Sequence, residues 1–257
     1  MRTARFRSMC FAAALAFALP LPAAGDAVGE LDDAAARIQY SFHTADVRGV
    51  EQALATLASL QLPESRKAMT DYYTAYGHWK LAELHTSAAA VGERAARGQA
   101  AQAASACEKA AERATERDAR LAEAYAMHAV CAALARRAPN VLTLGSCIRH
   151  RALRIARELD PQNTRVRLIE AQCMLEDEMH ADMVGRVQAI VRDFDAAPPT
   201  APGRPDWGQA EASLLLARLL LEQGQRVAAR DAVERALIIA PDYRAARELL
   251  QQIASAH

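Results

Sequence analysis

The stretch that most constrains the chain is residues 210–242, because it can be only a pair of short helices ending at a stop. It runs through Leu214-Leu215-Leu216-Ala217 and Leu219-Leu220-Leu221, turns at Gly224, continues to Ala240 and ends at Pro241-Asp242. Leu216, Ala217 and Leu220 share one face of the first helix, and Ala229, Val233, Ala236 and Leu237 share one face of the second. Ala217, Ala229 and Ala236 are small enough to let two antiparallel helices approach closely, while Leu216, Leu220 and Val233 fill the seam. Proline lacks the amide hydrogen an interior helical position needs, so the unit stops at Pro241.

Similar pairs are predicted upstream. Residues 31–42 and the segment from Asp46 to Pro63 form one, with Asp46 as N-cap. Residues 64–85 form a longer helix rich in aromatics (Tyr72, Tyr73, Tyr76, Trp79), in which Gly77 or Ala82 is the small contact residue. Residues 88–98 read as a frayed connection before a partner helix at 99–115. A helix at 118–136 carries Ala124, Met127, His128 and Cys131 inward. It is followed by an insertion at 138–146 and a helix at 147–159 that ends at Asp160-Pro161. Residues 164–175 and 182–194 make the next pair. Residues 196–205 hold Pro198, Pro199, Pro202 and Pro205 and read as an extended linker, after which Asp206 is expected to cap a helix and Trp207 to pack back as a staple. Residues 243–253 read as a solvating end cap. No alternating run of β-branched residues marks a strand, and aromatics are only 5% of the chain, so helix is favoured throughout.

The period, the small contact residues and the proline stop resemble the tetratricopeptide repeat, whose repeat length is about 34 residues. The runs Asp160-Pro161-Gln162-Asn163-Thr164-Arg165-Val166 and Pro205-Asp206-Trp207-Gly208-Gln209-Ala210-Glu211-Ala212 are similar to a group of exported bacterial repeat proteins of unknown role. Residues 176–186 depart from that pattern, with Glu176-Asp177-Glu178-Met179-His180-Ala181-Asp182 in place of a glycine-rich turn. The resemblance implies an all-α superhelix of about five hairpins and a C-terminal capping helix, divided into N-terminal degenerate hairpins (26–117), central hairpins (118–195), the proline-rich linker and a C-terminal repeat with its cap (206–257). It carries no catalytic residues.

Residues 1–25 read as a cleavable targeting segment. Arg2, Arg5 and Arg7 precede an apolar run from Met9 to Leu19, and Ala23-Ala24-Gly25 offers small residues for cleavage. A span needs about 20 apolar residues, so this run is too short for one, and no membrane span is expected after cleavage. The expected location is periplasmic or secreted. The full chain has 31 basic and 31 acidic residues, and removal of those three arginines leaves a net charge of −3, which argues against nucleic acid as a partner.

Export places Cys107, Cys131, Cys147 and Cys173 in an oxidising compartment. No Cys-x-x-Cys pair supports metal or redox chemistry, so structural bridging is the expectation. Cys131 with Cys147 is the favoured bridge, on antiparallel neighbouring helices. The competing set is Cys107–Cys131 with Cys147–Cys173, and four buried free thiols are the third reading.

Ser146 near His150 is the best local nucleophile–base pair, but no Gly-x-Ser-x-Gly elbow surrounds it, and Ser146 also reads as a helix cap. The eleven glycines form no phosphate loop. Glu176, Glu178, His180 and Asp182 offer metal-ligand types without metal-motif spacing, and His78 and His85 share one helix side. A surface is the remaining candidate. In repeats of this kind the first helix of each hairpin lines a concave groove, which would present Tyr72, Tyr76, Tyr125, Arg165, Leu168, Gln172, Glu211, Leu214 and Arg218. Tyrosine and arginine suit peptide capture, although Tyr72, Tyr76 and Trp79 equally suit core filling. The expectation is a non-enzymatic scaffold without cofactor that binds a protein or peptide of the cell envelope. The alternative is a small-molecule or metal carrier using the Tyr72–Trp79 face or the Glu176–Asp182 cluster.

Overall fold

The computed structural model describes residues 24–136, 147–176 and 182–255, and the targeting segment up to residue 23 and the 138–146 insertion lie outside them. The described residues form eleven α-helices and no strand. The helices pair as α1 (Ala24–His43) with α2 (Val47–Ser59), α3 (Glu64–Ala90) with α4 (Arg94–Arg117), and α5 (Ala122–Arg136) with α6 (Arg151–Leu159). The pairs α7 (Thr164–Glu176) with α8 (Met183–Ala196) and α9 (Gln209–Glu222) with α10 (Arg226–Ile239) follow, and α11 (Arg244–Ser255) closes the chain.

Each second helix packs on the first helix of its own hairpin and on the first helix of the next. First helices also touch one another from α1 to α3, α3 to α5, α5 to α7 and α9 to α11. A hairpin has apolar residues on two faces and buries both only by stacking, which is the packing expected of a helical solenoid. The seams are made of alanine: Ala217, Ala229 and Ala236 are fully buried, as are Ala110, Ala111, Ala124, Ala129 and Ala156 within 1%. The turn between α9 and α10 uses Gly224 at φ +74°, and the amide of Gln225 donates back to the Leu220 carbonyl across it.

Several local expectations shift. The alanine run beyond His85 continues α3 to Ala90, and only Val91-Gly92-Glu93 interrupts it before α4, so residues 88–98 are not a frayed connection. Alanine is the best helix former, and Gly92, at φ +103°, supplies the break. In α3, Gly77 is a close-approach position: a Cβ there would lie 2.7 Å from Leu54 Cδ2 and 3.1 Å from Ile38 Cδ1. Helix α6 begins at Arg151 rather than Cys147, with His150 as cap, its Nδ1 accepting from the Ala152 amide. Asp206 does not cap α9. Gly208 does, at φ +113°, with its amide donating to the Glu211 carboxylate at 3.1 Å, while Asp206 accepts from Thr200 Oγ1.

The expected Cys131–Cys147 bridge is overturned. Cys107 bonds Cys131, joining α4 to α5, and Cys147 bonds Cys173, joining the lead-in to α6 with α7. The physical reason is the stacking rule itself. Cys131 faces the preceding hairpin and Cys173 the one before it, so each bridge stitches neighbouring hairpins instead of closing one. Each closes a loop of 24 or 26 residues, and constraining the unfolded chain to that extent stabilises by about 3.5 kcal/mol.

Candidate functional site

The side formed by the first helices is not an open trough. Residues 197–208, between α8 and α9, cross it as a strap. Four proline positions keep this segment from forming a helix of its own, and it is held on α1, α3 and α7. The Gly203 amide donates to both carboxylate oxygens of Asp32 in α1, at 2.9 Å each. The Arg165 Nε, at the start of α7, donates to the Trp207 carbonyl at 2.8 Å. The Trp207 indole is buried among the α3 aromatics: its ring stacks on Tyr76 at 5.1 Å, meets Trp79 edge-on at 5.6 Å, and its Nε1 donates to the Tyr72 hydroxyl at 2.7 Å.

Arg165 is positioned locally. Asn163 Oδ1 accepts from the amides of Arg165 and Val166 and so caps α7. The guanidinium then lies between the Trp207 carbonyl and Glu123 of α5, whose carboxylate is 3.5 Å away. Burial pushes the Glu123 carboxyl up, and the Arg165 charge opposes it. The two sequence runs that carry the repeat-protein resemblance therefore meet, at Arg165 and Trp207.

A second polar knot ties the two ends of the stack together. His43 Nε2, at the end of α1, lies 3.4 Å from Glu211 Oε1 in α9, and the His43 ring sits 4.2 Å from that of Tyr243. Burial works against the Glu211 charge, but the His43 hydrogen bond, the charges of His43 and Lys80 and the backbone amide outweigh it and hold the carboxyl down at about 2. Lys80 is 1% exposed, lies 3.7 Å above the Trp79 ring and 4.4 Å above that of Phe42, and reaches Glu83 at 3.1 Å. A desolvated ammonium against aromatic faces is a favourable cation–π arrangement. Desolvation also lifts the Tyr72, Tyr76 and Tyr243 hydroxyls well above the ordinary phenol range.

The expected groove residues divide accordingly. Tyr72, Tyr76, Leu168, Glu211 and Leu214 are at most 6% exposed, so in this closed form they are core and not partner-facing surface. Arg165 is nearly buried, at 17%, and is engaged with the strap. Tyr125 and Gln172 are half-buried, and Arg218 alone of the nine is exposed. The structure thus brings together Tyr72, Tyr76, Arg165 and Glu211, but around a segment of its own chain. Asp32 and His43 are the members that sequence reading missed, whereas Trp207, expected to pack back on the chain, does so on the α3 aromatics. Neither Asp32 nor His43 carries a local signal of its partner, since Gly203 and Glu211 lie more than 160 positions away.

Ser146, Glu178 and His180 lie outside the described residues, and with them the nucleophile member of the Ser146–His150 pair and the middle of the acidic cluster. His150 instead faces His128, ring to ring at 5.5 Å, and burial with the nearby Arg136 charge pushes it down to about 4. Among the described residues no group of three or more His, Cys, Asp and Glu side chains is gathered as a metal would require, and no described helix is long and apolar enough to cross a membrane. Compared with known proteins, the chain matches no family model and no curated relative.

Proposed function

We propose that this chain is an exported, non-catalytic scaffold of the tetratricopeptide kind that binds a protein or peptide partner in the cell envelope on its first-helix side. The observation that carries the reading is the strap. Residues 197–208 are an extended peptide held as such scaffolds hold peptides: one backbone carbonyl on an arginine, one backbone amide on a carboxylate, and one aromatic side chain in an aromatic pocket. The chain performs in cis the capture that the groove residues were expected to perform in trans. A partner of matching chemistry, an extended segment with an aromatic anchor, takes the strap's place.

The test uses a synthetic peptide with the sequence of residues 197–208 and the Trp207→Ala protein, whose pocket is vacated. Fluorescence polarisation of the labelled peptide should show saturable binding to the variant and none to the parent protein, whose own strap is covalently present at high effective concentration. Arg165→Ala added to the variant should abolish binding. A helical variant, verified by circular dichroism, that ignores the peptide would remove the groove reading.

A further inference from the structure

The strap has an internal geometry that limits what can replace it. The Arg204 amide donates to the Ala201 carbonyl at 3.1 Å, closing a β-turn with Pro202 and Gly203 at its centre, and Gly203 stands at φ +73°. Proline holds φ near −65°, which excludes the mirror-image turns, and a positive φ at the second central position is then the type II arrangement, where glycine is preferred. That turn leaves the Gly203 amide unused within the segment, and Asp32 accepts it with both oxygens. Past the turn the chain is extended. Residues 203, 205 and 207 are buried while 204 and 206 are exposed, the two-residue alternation of a strand laid on a surface. Pro205, buried between the two anchored positions, brings no amide hydrogen that needs a partner.

The anchor is selective as well as large. Trp207 Nε1 donates to the hydroxyl of Tyr72, a fully buried residue, and this is the one hydrogen bond that hydroxyl makes among the described residues. A ring of the same size without a donor would leave the hydroxyl buried and unpaired. The strap also enters from α8 and leaves into α9, so the groove takes a segment with chain on both sides of it.

Taking the first-helix side as a peptide site, the reading on which this step rests, we propose that the partner carries the pattern Pro-Gly-x-Pro-x-Trp in an exposed linker between two folded parts. The Pro-Gly turn presents its free amide to Asp32, and the tryptophan, four residues after the glycine, fills the aromatic pocket and gives its carbonyl to Arg165. The two positions marked x face solvent and are free to vary.

The probes are analogues of the peptide of residues 197–208, competed against the labelled parent peptide on the Trp207→Ala protein. Benzothienylalanine in place of the peptide's tryptophan keeps the shape and removes the donor, and should weaken binding about tenfold or more. Alanine in place of its glycine at position 203 should weaken binding about tenfold, because a positive φ is costly for it. Alanine in place of its arginine at position 204 should change affinity by less than about threefold. If the parent peptide binds and all three analogues match it, the pattern is wrong and the groove reading stands. If no peptide binds a helical Trp207→Ala protein, both fall. The ranking is also read in the intact chain, so a poorly folded Trp207→Ala protein does not shield it: Gly203→Ala should speed hydrogen exchange of the strap amides about tenfold, and Arg204→Ala should leave it within about threefold. Equal effects of the two would overturn the proposal. So would a parent chain that dimerises with rising concentration in sedimentation velocity while Trp207→Ala stays monomeric, since the groove would then belong to the strap of a second copy.

Discussion

The middle of the stack and its closure are held by different physics. From α4 to α7 the hairpins are joined by short-range means: alanine seams, and two disulfides between neighbours. The closure joins parts of the chain far apart in sequence, Asp32 to Gly203, Tyr72 to Trp207 and His43 to Glu211, through one indole and a few charged or polar contacts. The first kind of contact is repeated, so losing one unit leaves the rest. The second is concentrated in a few side chains, so it is where the molecule can open without unstacking.

Trp207→Ala is the sharpest way to break that contrast. It removes a side chain that is 3% exposed and touches two rings and a hydroxyl, and large-to-small changes of this kind cost about 3–5 kcal/mol. Urea unfolding should show the loss, and hydrogen exchange should place the new exposure in α1, α3 and the strap while α4–α7 stay protected. Uniform loss of protection would mean that closure and stack are one cooperative unit. On the other side of the comparison, replacing Cys147 and Cys173 by serine should cost about 3.5 kcal/mol and leave tryptophan fluorescence unchanged, because both tryptophans lie in the closure.

The stack was legible in the sequence, whereas of the closure only the packing of Trp207 back on the chain was, without the surface that receives it. Helix periodicity, small contact residues and the proline stops are local signals, and they place α7, α9 and α10 within a residue or two of their expected bounds. The disulfide pairing failed because it depends on which hairpin each cysteine faces, a property of stacking and not of spacing. The groove residues were identified by type and position, but nothing local to Tyr72, Tyr76 or Arg165 indicates that residues 197–208 return to cover them. Trp207 packs on residues more than 120 positions away, and Asp32 accepts from Gly203 at a separation of 171. Such pairings leave no period to read.

Acid should open the closure before the stack. The Glu211 carboxyl falls from its ordinary value of about 4.3 to about 2 in the folded protein. A carboxyl with a depressed folded value contributes stability that is fully present above the unfolded value and is lost as pH falls through the folded one. The contribution, about 3 kcal/mol, should therefore disappear between roughly pH 4 and pH 2, and Glu211→Gln should flatten the stability profile in that window. A smaller effect is expected at the α9 cap. Gly208→Ala puts a side chain at φ +113°, with its Cβ 2.8 Å from Phe194 Cζ, and the backbone strain alone costs about 1–3 kcal/mol. Differential scanning calorimetry should record a lower Tm, and binding of the strap peptide to the vacated pocket should be unaffected by the same change.

The smallest effect tests whether charge matters in the stack as it does in the closure. Asp71 of α3 accepts from Arg113 and Arg117 of α4 at 2.8 Å each, and Arg117 also reaches Glu64 at 2.6 Å. The geometry is good, but the two arginines are 46% and 36% exposed and Glu64 is 71% exposed. Water screens pairs of this kind, which contribute about 0.2–1 kcal/mol each, whereas the His43–Glu211 pair is at most 7% exposed on either side. Asp71→Asn should therefore lower stability by about 1 kcal/mol or less, with the loss reduced further in high salt, and the acid transition assigned to Glu211 should not move. A loss as large as that of Glu211→Gln would show that the α3–α4 seam depends on its charges as much as on its alanines, and the contrast between the two regions would no longer hold.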